Sequence, residues 1–369
     1  MTPVAIGYVP LVDAAPVIVA KELGFAEEEG LSLSLVKAAS WSQLRDMLES
    51  GRVQAAHMLS VMPVARALGL GGGAGATEVL MVLSLGGQVI GLSAECAAQA
   101  GVGFGDPMAL GAALAGQDLR LGVPFPFSMQ ALLLRYWLQR AAPGLQPRIV
   151  TVPPSRMAEA LRAGDIDGFC VGEPWGSAAA TEAGARLVLT GSQIWSQAPE
   201  KVLAVRAGQG EEAGPLMRAV WRAGRWAEAP GNRATLADIL ARPAYLDVAA
   251  TYLEPALFGR LGAHQVPQLL TFHDGVANFP WRSQASWIGA ELARSCGLPL
   301  APAVTAARAC FRSDLYRRHL GALAPMPRSS DKLEGALPAA EALPAVNGRL
   351  ILACNRFFDD AVFDPEPEN

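Results

Sequence analysis

Short apolar runs alternate with amphipathic segments along the first two hundred residues. The apolar runs predict strands at 4–9, 31–36, 78–85, 119–123, 148–152 and 168–171. Between several of these runs the apolar residues have helical spacing, which predicts helices at 16–21, 43–48, 129–139 and 156–163. This alternation is typical of sheets covered by helices. We therefore predict an α/β fold.

The second half of the chain has a different pattern. From 211 to 270 the apolar spacing is helical throughout. Residues 322–347 are rich in Ala and Pro and predict an irregular connector. The apolar segment 350–364 follows, and we expect it to strap back onto the body of the protein.

Length and charge limit the class of protein. A chain of 369 residues suits two lobes of roughly 100 to 200 residues, each able to bury a core. A net charge of -4 without a basic run argues against direct binding of nucleic acid. No stretch approaches the ~18 consecutive apolar residues of a membrane span, so no membrane contact is expected.

The N-terminus and the cysteines bear on location. A secretory signal would place charged, apolar and small residues ahead of the fold, whereas the first predicted strand already begins at Val4. We therefore expect a cytoplasmic protein; a signal removed from the N-terminus is the alternative. The five cysteines are widely spaced and form no CxxC or Cys/His cluster, so reduced thiols are expected, with no zinc site.

A series of segments marked by glycine, proline or polar residues falls at the predicted strand-to-helix junctions. These segments are 7–11, 13–16, 39–41, 56–59, 86–88, 124–128, 172–175 and 199–201. Loop amides and helix N-termini at such junctions point free N–H donors at one region. The series predicts a ligand cleft that favours an anion.

Lysine usage singles out one candidate for the cleft. Of the 30 basic residues only Lys21, Lys37, Lys201 and Lys332 are lysine. A lysine retained under this bias suits a site that needs a compact point charge. Lys201 opens an apolar strand at one of the junctions, so we select it, with a solvated strand end as the alternative.

Other candidates come from the same junctions. The indole N–H of Trp41, at a helix start, can donate one hydrogen bond, with core packing alone as the alternative. Gln88 follows Gly86 and Gly87, whose amides could approach a small ligand while its carboxamide donates another hydrogen bond; a turn glutamine in solvent is the alternative. Ser128 precedes a helix, Gln130 lies in its first turn, and Trp175 either lines the cleft or packs in a core.

Three further polar residues at the junctions receive other expectations. Asp13 is expected to cap the following helix, because a carboxylate repels an anion. Glu173 is expected to fix its loop through an arginine or backbone amides. His57 is expected to be an ordinary, satisfied histidine.

These segments resemble the nitrate- and bicarbonate-binding solute-binding proteins of ABC transporters, the NrtA/CmpA-like family, and within it the cytoplasmic nitrate sensors of the NasS type. The resemblance is collinear from about residue 4 to about residue 290. It implies a two-lobed type II periplasmic-binding-protein-like fold with a cleft between the lobes. We place the crossings near 92 and 200, which gives lobe one at 1–91, lobe two at 92–200, the return to lobe one with a helical region at 201–321, and the connector with the C-terminal strap at 322–369.

The resemblance also implies roles for the candidates. Lys201 would neutralise the bound anion, with Trp41 and Gln88 as ligands and Gly87, Ser128 and Trp175 nearby. Gln130 departs from the family, because many members place a ligand-binding histidine there; a neutral amide leaves nitrate, nitrite and other small anions as alternatives. Bicarbonate-binding relatives are implied to use calcium, and the donors here do not suit that ion.

The function expected first is a cytoplasmic nitrate and nitrite sensor. In such sensors the ligand-free protein holds an antiterminator with receiver-like and RNA-binding domains, and nitrate releases it. The alternative is the solute-binding subunit of an ABC transporter for nitrate, bicarbonate or another small anion. An enzyme of the same fold is a third class, but no nucleophile, base and orienting group cluster together. No catalysis, cofactor or metal is expected.

Overall fold

Two β-sheets organise the chain, and the computed structural model describes residues 1–72 and 75–365. The strands are β1 (Thr2–Tyr8), β2 (Leu31–Lys37), β3 (Ala55–Leu59), β4 (Thr77–Gly86), β5 (Gln88–Leu92), β6 (Arg120–Val123), β7 (Arg148–Thr151), β8 (Gly168–Gly172), β9 (Arg186–Thr190), β10 (Pro199–Arg206), β11 (Arg260–Leu261), β12 (His264–Gln265), β13 (Leu270–Thr271), β14 (Glu341–Pro344) and β15 (Arg349–Leu352).

Helices cover both sheets. They are α1 (Ala15–Glu22), α2 (Trp41–Glu49), α3 (Val61–Ala67), α4 (Ala94–Ala100), α5 (Pro107–Leu114), α6 (Met129–Ala141), α7 (Met157–Arg162), α8 (Trp175–Ala183), α9 (Gly191–Ile194), α10 (Gly214–Glu228), α11 (Arg233–Ala241), α12 (Ala250–Phe258), α13 (Arg282–Cys296), α14 (Leu300–Cys310) and α15 (Ser313–Leu320). A 3-10 turn, Val12–Ala14, precedes α1.

The sheet of lobe one has the order β13-β4-β10-β3-β1-β2. Strand β1 pairs in parallel with β2 and β3, whereas β10 runs antiparallel to both β3 and β4. Strand β10 thus lies in the interior of the sheet, flanked by paired strands on both sides. This position explains why its residues from Pro199 to Val205 are buried.

The sheet of lobe two has the order β7-β6-β8-β5-β9. Strand β5 is antiparallel to β8 and β9, and β6 is parallel to β7 and β8. The α/β fold class, with two lobes, agrees with the prediction from the sequence pattern. It also places the carboxyl end of β8 beside the start of β5, because Gly172 pairs with Gln88.

The chain crosses between the lobes twice. Strand β4 ends in the first sheet at Gly86 and β5 begins in the second at Gln88, so the first crossing is Gly87, whose φ of 91° suits glycine. The second crossing is the segment 195–198, between α9 and β10. The sequence placed these crossings near 92 and 200; the first falls earlier because the apolar run 88–92 is a strand of lobe two.

The prediction of helix throughout 211–270 is correct for α10, α11 and α12 and wrong from 260 onward. Three strands of two residues each lie there, and β13 extends the first sheet beside β4. Gly259 and Gly262 have positive φ values of 63° and 59° and form the turns around them. Strands this short leave no periodicity to detect.

The C-terminal part returns to the body of the protein. The connector predicted at 322–347 includes β14, which pairs with β15. The following residues, 353–365, are here called the C-terminal strap. In the strap, Phe357 is buried and stacks on Trp195 of the second crossing and on Trp287 of α13. Phe357 also lies 5.1 Å from the ring of Tyr136 in α6 of lobe two, so the strap contacts elements of both lobes.

Within residues 1–72 and 75–365, no helix combines the length and the apolar character needed to cross a bilayer.

Candidate functional site

Lys201 lies wholly buried between two carboxylates. Its Nζ donates to Asp13 Oδ2 at 2.7 Å and to Glu200 Oε1 at 2.5 Å, and neither carboxylate is more than 2% exposed. Consecutive side chains of a regular strand point to opposite faces, yet Glu200 and Lys201 contact each other. The pairing of β10 with β4 is irregular on both sides of Lys201, and such an irregularity redirects side chains.

Asp13 joins this ion pair to a histidine. Its Oδ1 lies 2.9 Å from Nε2 of His57, at 0% exposure, while its Oδ2 binds Lys201. The expectation that Asp13 caps a helix is wrong, since no side chain caps the 3-10 turn or α1. A buried carboxylate gains more from a buried ammonium, which carries the opposite charge, than from the neutral N–H groups of a helix N-terminus.

Only one of the two ring nitrogens of His57, the Nε2 bonded to Asp13, has a hydrogen-bond partner in the described part of the chain. His57 lies in β3, and among the described residues its Nδ1 has no hydrogen-bond partner. The expectation of an ordinary, satisfied histidine is therefore wrong. The register of β3 and β10 explains why His57 lies near Lys201. His57 of β3 pairs with Leu203 of β10, and Leu203 is two residues from Lys201 along β10.

The pKa values of the four groups follow from burial and mutual charge. Burial would raise the pKa of Asp13, but the Lys201 ammonium and His57 lower it. Burial would lower the pKa of Lys201, but Asp13 and Glu200 raise it. Burial lowers the pKa of His57 despite Asp13 and raises that of Glu200 despite Lys201. These directions favour a charged Asp13–Lys201 pair and a neutral His57 at neutral pH.

Gln130 reaches the ion cluster from the other lobe. It is the second residue of α6, and its Nε2 donates to Glu200 Oε1 at 2.6 Å. Ser128 ends the preceding loop, and its Oγ accepts the N–H of Ala131 at 3.1 Å. Ser128 thus fixes the start of α6, and Gln130 forms a hydrogen bond between the lobes.

Trp41 forms one wall of the site. It is the first residue of α2, whose N-terminus Ser40 caps by accepting the N–H of Gln43. The ammonium of Lys201 lies 5.3 Å from the centroid of the Trp41 ring, within the range of a cation–π contact. The buried Nε1 of Trp41 has no partner in the described part of the chain.

Gln88 lies at the start of β5 and is fully buried. Neither polar atom of its carboxamide has a partner among the described residues, and the side chain packs against Gly191, where a Cβ would lie 2.5 Å from it. The N–H groups of Gly86 and Gly87 instead donate to the carbonyls of Ala198 and Leu269. The expectation that these two amides approach a ligand is wrong; Gly87 serves the crossing.

Trp175 and Glu173 tie the lobes together beside the cleft. The half-buried Trp175 donates its Nε1–H to the carbonyl of Pro10 at 2.9 Å, and Val12 donates its N–H to the carbonyl of Glu173 at 2.9 Å. The Glu173 carboxylate accepts from the N–H and Oγ–H of Ser177, with no arginine among its partners in the described residues. Burial raises the pKa of Glu173 to about 7.

A set of buried polar atoms in the cleft has no hydrogen-bond partner within the described ranges. The set comprises Trp41 Nε1, His57 Nδ1, Ser84 Oγ, Gln88 Nε2 and Oε1, Gln130 Oε1 and Glu200 Oε2. Buried polar groups are nearly always paired, and unpaired ones on both lobes, among them atoms of Trp41 and Glu200, two residues that contact Lys201, suit a small polar ligand. We call Asp13, Trp41, His57, Ser84, Gln88, Gln130, Glu200 and Lys201 the cleft cluster.

The sequence pointed to half of this cluster. The predicted residues that belong to it are Trp41, Gln88, Gln130 and Lys201. The other three have supporting roles: Gly87 forms the first crossing, Ser128 caps α6, and Trp175 bonds the two lobes together. Sequence reasoning missed the other four members: it gave Asp13 and His57 other roles, and it did not single out Ser84 or Glu200. The signal for Glu200 was a charged residue next to Lys201 at the start of a strand that is otherwise apolar.

A cleft between two α/β lobes, with buried polar groups contributed by both, defines a ligand-binding protein of the periplasmic-binding-protein-like class. A solved structure of that class, the periplasmic nitrate-binding protein NrtA from Synechocystis, superimposes with a TM-score of 0.84 at 26% identity and covers 99% of this chain and 96% of its own. Residues 1–241 match the NMT1-like family. The chain belongs to this family, among its NrtA/CmpA-like solute-binding proteins.

Two relatives illustrate the range of similarity. The nitrate/nitrite binding protein NrtA of Synechococcus elongatus is 32% identical over 399 residues, which cover 98% of this chain and 84% of that protein. The nitrate import ATP-binding protein NrtC of Synechocystis is 36% identical over 304 residues, or 78% of this chain. This chain spans 45% of the length of NrtC.

Proposed function

We propose that the protein binds nitrate or nitrite between its lobes, and that it binds the anion without transforming it. The observation that carries the proposal is the buried Lys201 surrounded by unpaired polar atoms of both lobes. The names of the NrtA relatives, which specify nitrate and nitrite, support this choice of anion.

The donors of the cleft suit a small planar anion. Nitrate offers three oxygen acceptors and a single charge, and Trp41 Nε1, Gln88 Nε2 and Lys201 Nζ can each donate to an oxygen. Among the described residues, no three His, Cys, Asp or Glu side chains are placed to hold a metal ion. We therefore expect nitrate affinity to be insensitive to chelators.

Binding would stabilise the arrangement in which the lobes contact each other. The hydrogen bonds Gln130–Glu200, Trp175–Pro10 and Val12–Glu173 each join residues of different lobes. A ligand held by Lys201 from one lobe and Gln88 from the other adds to these contacts only when the lobes are together. It shifts the protein toward that state by its differential affinity.

For the biological role we favour a cytoplasmic nitrate sensor. The ligand-free protein would hold an antiterminator with receiver-like and RNA-binding domains, and nitrate would release it, controlling nitrate assimilation genes. The support is the resemblance of the cleft segments to cytoplasmic sensors of this family. Linkage requires that the partner weaken nitrate binding by the factor by which nitrate weakens the complex.

The second candidate role is the solute-binding subunit of an ABC transporter for nitrate, bicarbonate or another small anion. Its support is the extent of the match to NrtA, which runs along 98% of this chain. The relative NrtC is named as a component of nitrate import.

Calorimetric titration with nitrate, nitrite, bicarbonate and sulfate tests the ligand. We expect heats of binding for nitrate and nitrite, unchanged by EDTA; binding of bicarbonate that EDTA abolishes, without binding of nitrate, would contradict the proposal. The sensor role is tested by size-exclusion chromatography with the antiterminator. We expect a complex that dissociates when nitrate is added, and a complex that survives saturating nitrate would contradict this role.

A further inference from the structure

The cleft cluster contains one cation and two acids. Lys201 Nζ is bonded to Asp13 at 2.7 Å and to Glu200 at 2.5 Å. With both carboxylates ionised and His57 neutral, the cluster already carries a net charge of -1. A second negative charge from nitrate would be buried with it, and unpaired buried charge is costly. The ammonium alone is therefore insufficient to bind nitrate here.

One carboxylate is better placed than the other to lose its charge. Both oxygens of Asp13 are bonded, one to His57 and one to Lys201. Glu200 directs both of its partners, Lys201 and Gln130, to Oε1, and leaves the buried Oε2 without a partner in the described part of the chain. A proton on Oε2 leaves both bonds to Oε1 intact and gives the cleft one more donor.

From this geometry we infer that Glu200 takes up a proton when nitrate binds, so that its Oε2–H donates a hydrogen bond to the anion. The inference rests on the proposed function. Nitrate carries no hydrogen at neutral pH and cannot donate to an ionised Glu200. Hydrogencarbonate carries its own O–H and can donate to an ionised Glu200, so nitrate needs the proton on Glu200 and hydrogencarbonate does not.

The charged and titratable groups around Glu200 agree with this assignment. Lys201 neighbours it on β10, Asp13 lies in the turn before α1, and His57 lies behind Asp13 on β3. Cys170 on β8 interacts electrostatically with Glu200, and burial holds the pKa of this thiol well above its usual range, so it stays neutral. Gln130 of α6 is uncharged. Burial already raises the pKa of Glu200, and a nearby anion raises it further.

The test is calorimetry of nitrate binding to the whole protein at pH 5.5 to 8.5, in buffers of different ionisation enthalpy. We expect the wild type to bind at least about tenfold more tightly at pH 5.5 than at pH 8, with about one proton taken up per nitrate at pH 8. Glu200→Gln mimics the protonated acid, and we expect it to bind at pH 8 with little proton uptake. Glu173→Gln, which alters the buried glutamate bonded to Ser177, should keep the uptake of the wild type.

His57 is the competing proton acceptor. Proton uptake that persists in Glu200→Gln and disappears in His57→Asn would overturn the role of Glu200. Nitrate binding by the wild type without proton uptake at any pH would overturn it as well, while leaving nitrate binding established. No heat of binding for nitrate or nitrite, even at pH 5.5, would overturn both the inference and the proposed function.

Discussion

At the scale of single residues, the main feature of the protein is a group of buried charges around Lys201. The exposed fraction is at most 2% for Lys201, Asp13 and Glu200, so water does little to solvate these three charges. Removing one member of such a group leaves a buried charge uncompensated, which costs more than the intact group contributes. The residues that bind the ligand are therefore also residues on which folding depends.

We expect Lys201→Met to weaken both stability and binding. It leaves two buried carboxylates without a positive charge beside them, which should lower the free energy of unfolding by about 3–5 kcal/mol. Loss of the ammonium should weaken nitrate binding by about 30-fold or more. Urea unfolding and calorimetry measure the two effects.

A second substitution and a surface control sharpen this prediction. Adding Glu200→Gln to Lys201→Met should recover part of the stability, because only one unpaired carboxylate then remains. Lys21→Met alters an exposed lysine of α1 and should change stability by less than about 0.5 kcal/mol. Equal loss in both lysine variants would contradict the buried ion pair.

Glu173 should make stability depend on pH. Its pKa of about 7 in the folded protein exceeds the ordinary value of 4.5, so folding favours the protonated acid and this contribution is lost as the pH rises from about 4.5 to 7. Relative to the wild type, Glu173→Gln should therefore gain about 2 to 3 kcal/mol between pH 5 and pH 8. Urea unfolding at both pH values measures the gain; a constant difference would contradict the raised pKa.

At the scale of elements, the site is assembled by the starts of helices and the ends of strands. Trp41 opens α2, Gln130 lies in the first turn of α6, and the turn that contains Asp13 leads into α1. Trp175 opens α8 and donates to a carbonyl of the loop after β1. Ser40 caps α2, Ser128 caps α6, and α1 is buried from Ala15 to Ala20, so these elements hold their cleft residues in place.

We expect Trp175→Phe to weaken nitrate binding while preserving the fold. The substitution keeps an aromatic ring and removes the hydrogen bond to Pro10, which exists only when the lobes are together. A net hydrogen bond contributes about 0.5–1.5 kcal/mol, so affinity should fall by about 2- to 13-fold. Trp226→Phe, in a half-buried tryptophan of α10, is the control; calorimetry that finds equal affinities for both variants would contradict the role of Trp175.

The sequence predicted the elements better than the contacts between them. Strands such as β4 and β8 were recognised because buried strands in layered sheets are continuous apolar runs. The link between Asp13 and His57 was not, because 44 residues separate them and no local pattern encodes the pairing. Lys201 lies 188 residues from Asp13, so their ion pair could not be predicted from a local pattern either. The irregular pairing of β10, which brings Glu200 to the same site, also has no sequence signal.

At the scale of the whole molecule, two crossings and the C-terminal strap connect the lobes. The strap residue Phe357 lies 5.0 Å from the ring of Trp195 and 5.7 Å from that of Trp287. Asn355 of the strap accepts from Trp195 Nε1 and donates to Glu334, which also accepts from Ser283 of α13. The strap is thus a third connection, made by packing and hydrogen bonds.

We expect Phe357→Ala to destabilise the protein by about 3–5 kcal/mol, because it removes a buried ring from an aromatic stack. Phe358→Ala, in the half-buried neighbour, should cost clearly less. The loss of the strap contacts should also separate the unfolding of the two lobes, which differential scanning calorimetry detects as a broadened or double transition. Similar midpoints for the two variants would contradict the role of the stack.

The position of Trp41 should make the intrinsic fluorescence of the protein sensitive to a bound anion. Indole emission responds to nearby charge and polarity, and this indole lies beside the Lys201 ammonium with its N–H unpaired. An anion that bonds to this N–H changes the surroundings of one tryptophan out of eight. Occupancy of the cleft should therefore be readable from intrinsic fluorescence without any label, and the signal should become smaller in Trp41→Phe, where tryptophans such as Trp175 respond only to the approach of the lobes.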